Sequence, residues 1–456
     1  MANGPDYISK IAVRGFKSIA DEQQIELRPL TLLAGANSSG KSSLMQPVLL
    51  LKQTLEAPSD PGPLLLNGPN VRFTSADQLL SQNTERTLRP EFATRIELSE
   101  GTNLEVVFRR VREVGFEIGV MRCSRNDQKL EMLPNMSDEE IDKALDTSFE
   151  PICTGEEAFR LLPVFLMDLL ARLGKTKESL HWSVQRERCF LSFGVSGQNA
   201  GLAGIAPRGS LSPASRFVPH LQGLIHLAGL RGNPQRTYPR RAAGPLFPGT
   251  FEDYVASIIT QWQAKDDPRL SQLGAALEDM GLTWTVKAEP VNDAQVELRV
   301  GRLPHSRSGA DHDLVSIADV GFGVSQSLPV LVALIVAEPG QVVYLEQPEM
   351  HLHPRAQRRL AHVLADAANR GVIVVAETHS ALLLREVQTL VATGKLSTDK
   401  VKLHWFQRQE DGRTVVTPAD LDENGAYGDW PEDFDEVELN AEKAYLDAVE
   451  SKEAGK

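Results

Sequence analysis

Apolar runs alternate with turn-forming residues from the start of the chain. Residues 8–34 read as strand, turn, strand: ISKIAVRGF, then QQIELRPLTLLAG, rich in Val, Ile and Leu and followed by a Gly-rich turn. Residues 42–56 (SSLMQPVLLLKQTLE) read as a helix carrying Pro47, where a proline ordinarily kinks the backbone. Residues 92–134 alternate polar and apolar positions between turns, the pattern of an antiparallel sheet with one covered face. Residues 137–174 change to helical periodicity. Ser137 is followed three residues later by Glu140, which predicts a capping box, and EEAFRLLPVFLMDLLARLG continues the helical pattern. Gly, Ser and Pro cluster over 195–215 and predict a long surface loop. Residues 251–281 read helical and 283–302 as strands. From 314 onward helix and buried strand alternate, the signature of α/β layers around a parallel sheet. LHWFQRQEDGRTVVTPADL near the end reads as a short hairpin.

Composition adds limits. The 456 residues are 41% hydrophobic and 24% charged, which suits a folded chain and excludes a largely disordered or fibrous one. Cys123, Cys153 and Cys189 are scattered and odd in number, so a disulfide framework and a cysteine zinc site are not expected, and a reducing cytoplasm is. No signal-peptide pattern opens the chain and no apolar stretch is long enough to span a membrane, so no membrane partner is expected. From Asp420 to Lys456, 13 acidic residues face three lysines, so this tail carries most of the net charge of −13. It reads as a solvated acidic end, and overall acidity gives no support to a DNA-coating protein.

Three stretches carry chemistry. Gly35-Ala36-Asn37-Ser38-Ser39-Gly40-Lys41-Ser42 fits GxxxxGK[ST], follows an apolar strand and opens a helix, with Ser43 next in line. In that context glycines let backbone N–H groups turn onto phosphate oxygens, Lys41 reaches the β- and γ-phosphates, and the Ser42 hydroxyl ligates Mg²⁺. The bland alternative, a Gly/Ser turn before a helix, does not account for the whole pattern. A second apolar run, Gln341 to Leu345, ends in Glu346-Gln347-Pro348-Glu349. Glu346 is the expected metal-side carboxylate. Gln347 follows, where P-loop ATPases often place the group that orients or deprotonates water, and an amide takes no proton. Glu349 is the nearest spare carboxylate. His351 and His353 come next, without the spacing of a zinc site. A third run, Val372 to Ala376, ends in Glu377-Thr378-His379-Ser380, and His379 is placed to sense a γ-phosphate.

GANSSGKSS, IAVRGFKSI, LEQPEMHLHP and VAETHS together resemble ABC-type ATPases of the SMC/RecF/overcoming-lysogenization-defect (OLD) group. LLLNGPNVRF, LAGLRGNPQRTYP, GFGVSQSLP and GDWPEDFDE extend the likeness to stand-alone bacterial ATPases of antiphage systems, among them the ATPase subunits of PARIS systems. The resemblance implies an α/β fold: an ABC-type P-loop ATPase core split by a large mixed α+β insertion. It divides the chain into an N-terminal ATPase lobe (1–135), an inserted region (136–310), a C-terminal ATPase lobe (311–410) and an acidic tail (411–456). It implies ATP and Mg²⁺ as ligands. Gly35 through Ser43 would hold phosphates, Ser42 the metal and Glu346 the same metal through water, and Arg14, Phe16 and Lys17 would lie near base and ribose. Gln347, Glu349 and His379 would be catalytic, His379 as a switch. Gly321, Gly323, Val324, Ser325 and Gln326 would act in trans on a second protomer's nucleotide. His353 would lie on an inter-protomer loop.

Gln347 departs from the usual catalytic glutamate, which predicts slow hydrolysis. The residues after His379 show no acidic nuclease motif, so no nuclease is expected in this chain. The expected function is a cytoplasmic, ATP-binding, homo-oligomeric sensor and scaffold that controls a partner effector, a nuclease, in answer to a phage-encoded trigger. The alternative is a RecF-like DNA-repair or DNA-loading ATPase, with Arg231, Arg236, Arg240 and Arg241 as phosphate contacts, and DNA binding stays open at this point. A subunit powering a membrane transporter is the third reading, and the RecF-like opening argues against it.

Overall fold

The computed structural model describes residues 5–82, 87–148, 180–197, 209–303 and 313–428. The helix expected within 156–174, Cys153 and most of the acidic tail lie outside the described residues.

Among the described residues four sheets are formed. The first is antiparallel, with β1 (Ile8–Arg14), β2 (Gln23–Glu26), β4 (Glu91–Leu98), β5 (Asn103–Val111), β6 (Gly115–Arg125) and β7 (Gln128–Met132) in the order β2-β1-β4-β5-β6-β7. The central one contains β3 (Leu30–Gly35), β11 (Ile225–Leu227), β16 (Val342–Glu346), β17 (Ile373–Thr378), β18 (Val401–Arg408) and β19 (Thr414–Ala419), ordered β11-β16-β17-β3-β18-β19. Its first five strands run parallel, and only β19 turns back against β18. Smaller sheets join β8 (Leu180–Glu187), β9 (Phe190–Gly197) and β10 (Gly209–Leu211), and β12 (Tyr238–Pro239), β13 (Val286–Pro290), β14 (Gln295–Gly301) and β15 (Leu314–Ser316). The described helices of more than one turn are α1 (Lys41–Glu56), α2 (Asp138–Ser148), α3 (Val218–Gly223), α4 (Val255–Ala264), α5 (Pro268–Asp279), α6 (Phe322–Val336), α7 (Pro354–Asn369) and α8 (Ala381–Ala392).

The central strands are apolar on both sides because both sides are covered. Successive side chains on a strand point to opposite faces, and the two faces enter separate cores. Leu30, Leu32, Ala34, Val343, Leu345, Val374 and Ala376 pack with α4 to α8. Leu33, Val342, Tyr344, Ile373 and Val375 pack with α1 and the antiparallel sheet. Parallel strands of this kind place their carboxyl ends at one edge, where loops can hold a ligand.

The structure refines several sequence expectations. The second apolar run is two strands: β2 joins the antiparallel sheet, and β3 leaves for the central one. β11 lies in the stretch assigned to the insertion yet pairs with β16 as an edge strand of the core sheet. The boundary expected at 410 falls inside the β18–β19 hairpin, whose second strand completes that sheet. The capping box forms as expected: the Glu140 carboxylate accepts from the Ser137 backbone N–H at 2.8 Å, and Ser137 Oγ accepts from the Glu140 N–H at 3.4 Å.

Candidate nucleotide-binding site

Register fixes the site. β17 pairs with β3 so that Glu377 lies opposite Leu33, and β18 pairs on the other side with Phe406 opposite Gly35. The Gly35–Ser42 loop therefore leaves β3 between the ends of β17 and β18. Gly35, Ser38 and Gly40 hold φ values of 141°, 61° and 102°, the left-handed region that bends the loop back on itself. The hairpin clamps it from one side. Arg408 donates to the Ser38 carbonyl at 3.3 Å, and Thr414 Oγ1 donates to the Ser39 carbonyl at 2.8 Å. Lys41 Nζ rests on the carbonyls of Gly35 and Ala36 at 3.0 and 2.8 Å. Burial lowers the Lys41 pKa, against the opposing pull of Glu377 and Glu349.

A cleft of about 1150 Å³ opens over this loop. Its walls include Lys17, Asn37 to Ser43, Gln347, Glu377, His379 and the hairpin residues Arg408 and Glu410 to Arg413. Gln347 is held in the left-handed region at φ 44°, and its N–H donates to the Glu377 carbonyl at 2.9 Å. His379 is half-buried; burial first, then the Lys41 charge, holds its pKa below the ordinary value.

Several expected residues stand elsewhere. Phe16 is wholly buried and packs edge-on against Phe73 and Phe92, so it offers no face to a base. Arg14 does not line the cleft; Lys17 does, with Nζ 2.7 Å from Gln46 Oε1 and 4.7 Å from the Phe73 ring centre. Glu346 also stays out of the cleft wall. Its carboxylate accepts from the Gly229 N–H at 3.2 Å and lies 3.1 Å from His226 Nε2. Burial raises its pKa, but His226, the Gly229 N–H and the Tyr344 hydroxyl together outweigh that and leave it lowered. Glu349 is buried and turned inward, its Oε1 accepting from the Thr378 hydroxyl and the His379 N–H. Burial raises its pKa. It braces the His379 turn and does not face the cleft as a base would.

Of the five expected signature residues, Val324, Ser325 and Gln326 are buried in this chain, Gly321 is exposed and Gly323 partly so. Gln326 Nε2 donates to the carbonyls of Arg231 and Gly232, and Ser325 Oγ to that of Phe322. The surface a second protomer could meet here is Gly321 and Phe322, the latter 52% exposed and set against the His351 ring. His353 is exposed and caps α7 by accepting from the Arg355 N–H at 3.4 Å.

Sequence reasoning passed over Glu377, His226, Tyr344 and Asn70, and misplaced Arg231. Ser42 Oγ donates to Glu377 Oε2 at 2.8 Å, and the Tyr344 hydroxyl donates to Glu377 Oε1. Burial, then repulsion from Glu346, raises the Glu377 pKa to about 7. A charged residue closing an otherwise apolar strand was the available signal. His226 stacks on Tyr344 and reaches Asn70 at 3.3 Å, so the LLLNGPN and LAGLRG stretches meet behind Glu346. Arg231 is buried, donating to the carbonyls of Gln326, Glu346 and Gln347.

Residues 225–385 match the family described as "AAA domain, putative AbiEii toxin, Type IV TA system", so this part of the chain carries an AAA-type ATPase domain. The match spans β11 to α8 and excludes the Gly35–Ser42 loop, which the chain supplies from its N-terminal part. No curated protein matches the chain. Among solved structures, an SMC head bound to the C-terminal winged-helix domain of ScpA is similar at 12% identity over 91% of this chain and 98% of its own (TM-score 0.44). The SMC head domain from Thermotoga maritima is similar at 10% identity over 90% and 98% (TM-score 0.37). A Pyrococcus furiosus Smc head with an extended coiled coil is similar at 11% identity over 91% and 97% (TM-score 0.42).

Ser42 Oγ and the Glu377 and Glu346 carboxylates are hard oxygen donors of the kind Mg²⁺ takes. Among the described residues no three His, Cys, Asp or Glu side chains cluster closely enough to hold a metal unaided. Of these oxygen donors, Ser42 and Glu377 line the cleft together, a pair that suits a cation arriving with phosphate oxygens. No described helix is long and apolar enough to cross a membrane.

Proposed function

We propose that the chain is an ABC-type ATPase that uses ATP as a switch. Asn37 to Ser43 cradle the phosphates, Lys41 neutralises their charge, and Ser42 with an acidic strand end holds Mg²⁺, which polarises the γ-phosphate when bound. His379 donates a ring N–H to a γ-phosphate oxygen. Gln347 orients water without removing its proton, so hydrolysis is slow. A second copy closes the site with its Gly321–Phe322 edge. In this reading the protein is a cytoplasmic homo-oligomeric sensor and scaffold of an antiphage system, comparable to AriA of PARIS, and restrains a nuclease until a phage-encoded trigger appears.

The observation that carries the reading is one cleft lined together by Lys41, Ser42, Gln347 and His379, with an amide where a base would stand. The RecF-like alternative draws little from its arginines. Arg231 is buried, while Arg236 and Arg241 pair with Asp319 and Asp253. DNA binding at low salt tests that alternative. The main test is ATP binding and steady-state turnover by the full chain, with Lys41→Ala as the blank. Tight binding with turnover far below about 1 s⁻¹ is expected. Turnover on the order of 10 s⁻¹ or faster refutes the latched switch, and binding equal to the blank refutes the site.

A further inference from the structure

The acidic group bonded to the loop serine is not the one that sequence spacing selects. Ser42 Oγ, the hydroxyl expected to ligate the cation, lies 2.8 Å from Glu377 Oε2. Neighbouring ligands on an octahedral Mg²⁺ with bonds of roughly 2.0–2.1 Å are about 2.9 Å apart. The Ser42–Glu377 pair already has that spacing, so a cation seated on Ser42 has Glu377 within bonding reach. Glu377 lines the cleft and Glu346 does not. Both Glu346 oxygens are already engaged, by His226 and by the Gly229 N–H.

We propose that Glu377 is a direct carboxylate ligand of the nucleotide-bound divalent cation, sharing it with Ser42, and that Glu346 acts behind it without touching the metal. This rests on the ATP-site reading above. Tyr344 is the positioning residue. Its hydroxyl holds Glu377 Oε1, leaving Oε2 aimed at Ser42. Such outer partners fix ligand orientation, and their loss ordinarily weakens metal binding about 10–100-fold. A carboxylate at 3% exposure is costly without a counter-charge, and the cation supplies one. The Gln347 N–H bonds the Glu377 carbonyl, so the metal ligand and the residue facing the attacking water share one piece of backbone.

The test is a titration of Mg²⁺ against binding of a fluorescent ATP analogue to the full chain, repeated in EDTA, together with Mn²⁺ electron paramagnetic resonance of the ternary complex. For Glu377→Gln, binding in EDTA holds or strengthens, because a charge that repels phosphate is gone. The half-saturating Mg²⁺ concentration rises about tenfold or more, and the Mn²⁺ spectrum reports one protein oxygen replaced by water. Tyr344→Phe moves the midpoint the same way by a smaller factor, and Glu346→Gln leaves the Mn²⁺ ligand count unchanged. An unmoved or lowered Mg²⁺ midpoint in Glu377→Gln, with circular dichroism matching the parent, overturns the assignment; a lowered midpoint means Glu377 competes with the cation for Ser42. A loss of one protein ligand in Glu346→Gln overturns it equally. Failure of the parent chain to bind nucleotide in EDTA and in Mg²⁺ alike strikes the ATP-site reading itself, and this assignment falls with it.

Discussion

Arg231→Met removes the guanidinium that joins three motifs while keeping most of the stem's volume. Arg231 is 7% exposed and donates to the carbonyls of Gln326 at 2.9 Å, Glu346 at 3.3 Å and Gln347 at 3.1 Å. Hydrogen bonds from a charged donor contribute about 1.5–3 kcal/mol each, so the three bonds between elements are worth on the order of 5–9 kcal/mol gross. The buried charge had to be dehydrated, at several kcal/mol, and methionine does not incur that cost. The net expected loss is about 2–4 kcal/mol. It is read as a lower urea midpoint by tryptophan fluorescence, to which Trp262 and Trp405, both buried in this core, contribute. Arg231→Lys keeps a charge but not the planar fork, and falls between. Gln326 donates back to the Arg231 and Gly232 carbonyls, so Gln326→Met and Arg231→Met should be non-additive by about 0.5–3 kcal/mol. Stability of Arg231→Met within about 0.5 kcal/mol of the parent, the scatter of ordinary surface changes, refutes the claim that this residue ties the loops together.

Gly35→Ala places a Cβ 2.2 Å from the Phe406 carbonyl oxygen at a φ of 141°, a clash with backbone that cannot swing away. Loss of nucleotide binding with a lower melting temperature is expected, and a variant that binds ATP like the parent contradicts the packing of hairpin on loop. Phe16→Leu is expected to lower stability by about 1–2 kcal/mol and to change ATP affinity less than twofold, because the ring lies in the core; a tenfold affinity loss would restore it to the base site. His404 is buried with its pKa pushed down to about 4, burial being the largest cause. Between pH 4 and 6.5 the unfolded chain binds this proton and the folded one does not. Stability therefore falls as pH drops through that window, by on the order of 3 kcal/mol in all. His404→Gln should flatten that limb of the pH–stability curve, and an unchanged slope rejects the assignment.

What the sequence disclosed was local. The Gly35–Ser42 loop, the capping box at Ser137 and the fully apolar strands ending at Glu346 and Thr378 are each written within a few residues, where spacing and periodicity act. The antiparallel meander over 91–132 was legible for the same reason. What was hidden depends on distant pairing. β11 is three residues long, too short for a period to show, and only its parallel register with Val343 to Leu345 makes it part of the core. Nothing near Phe16 says that Phe92 and Phe73 will cover it. Arg231 lies in a polar, proline-containing stretch that reads as solvated, and it is buried because three carbonyls from elsewhere converge on it. The contact of Glu377 with the loop serine was hidden likewise. Glu346 and Glu377 both end apolar strands and pair across β16 and β17, and only the placement of β17 beside β3 puts Glu377 against Ser42.

The two residues after Glu346 bear on rate. Gln347 occupies the cleft with an amide. Glu349, the next carboxylate along the chain, spends its Oε1 on Thr378 and the His379 N–H and does not line the cleft, and Glu377, which does line it, is held by Ser42 and Tyr344. A positioned general base contributes about 10²–10⁴-fold to a rate. Taking that factor from an ordinary turnover of about 10 s⁻¹ leaves one event per roughly ten seconds to a quarter of an hour. A bound state that outlasts assembly and subunit docking, which take milliseconds to minutes, can hold a partner in place. The same factor makes the proposed function testable from inside the chain. Gln347→Glu restores a carboxylate at the cleft, where the backbone bond to Glu377 fixes its origin. If the amide is what latches the switch, turnover rises by at least tenfold and the ATP-bound assembly shortens its life in proportion. If turnover stays flat while ATP still binds, the slow step lies in closure or product release, and the amide is not the latch.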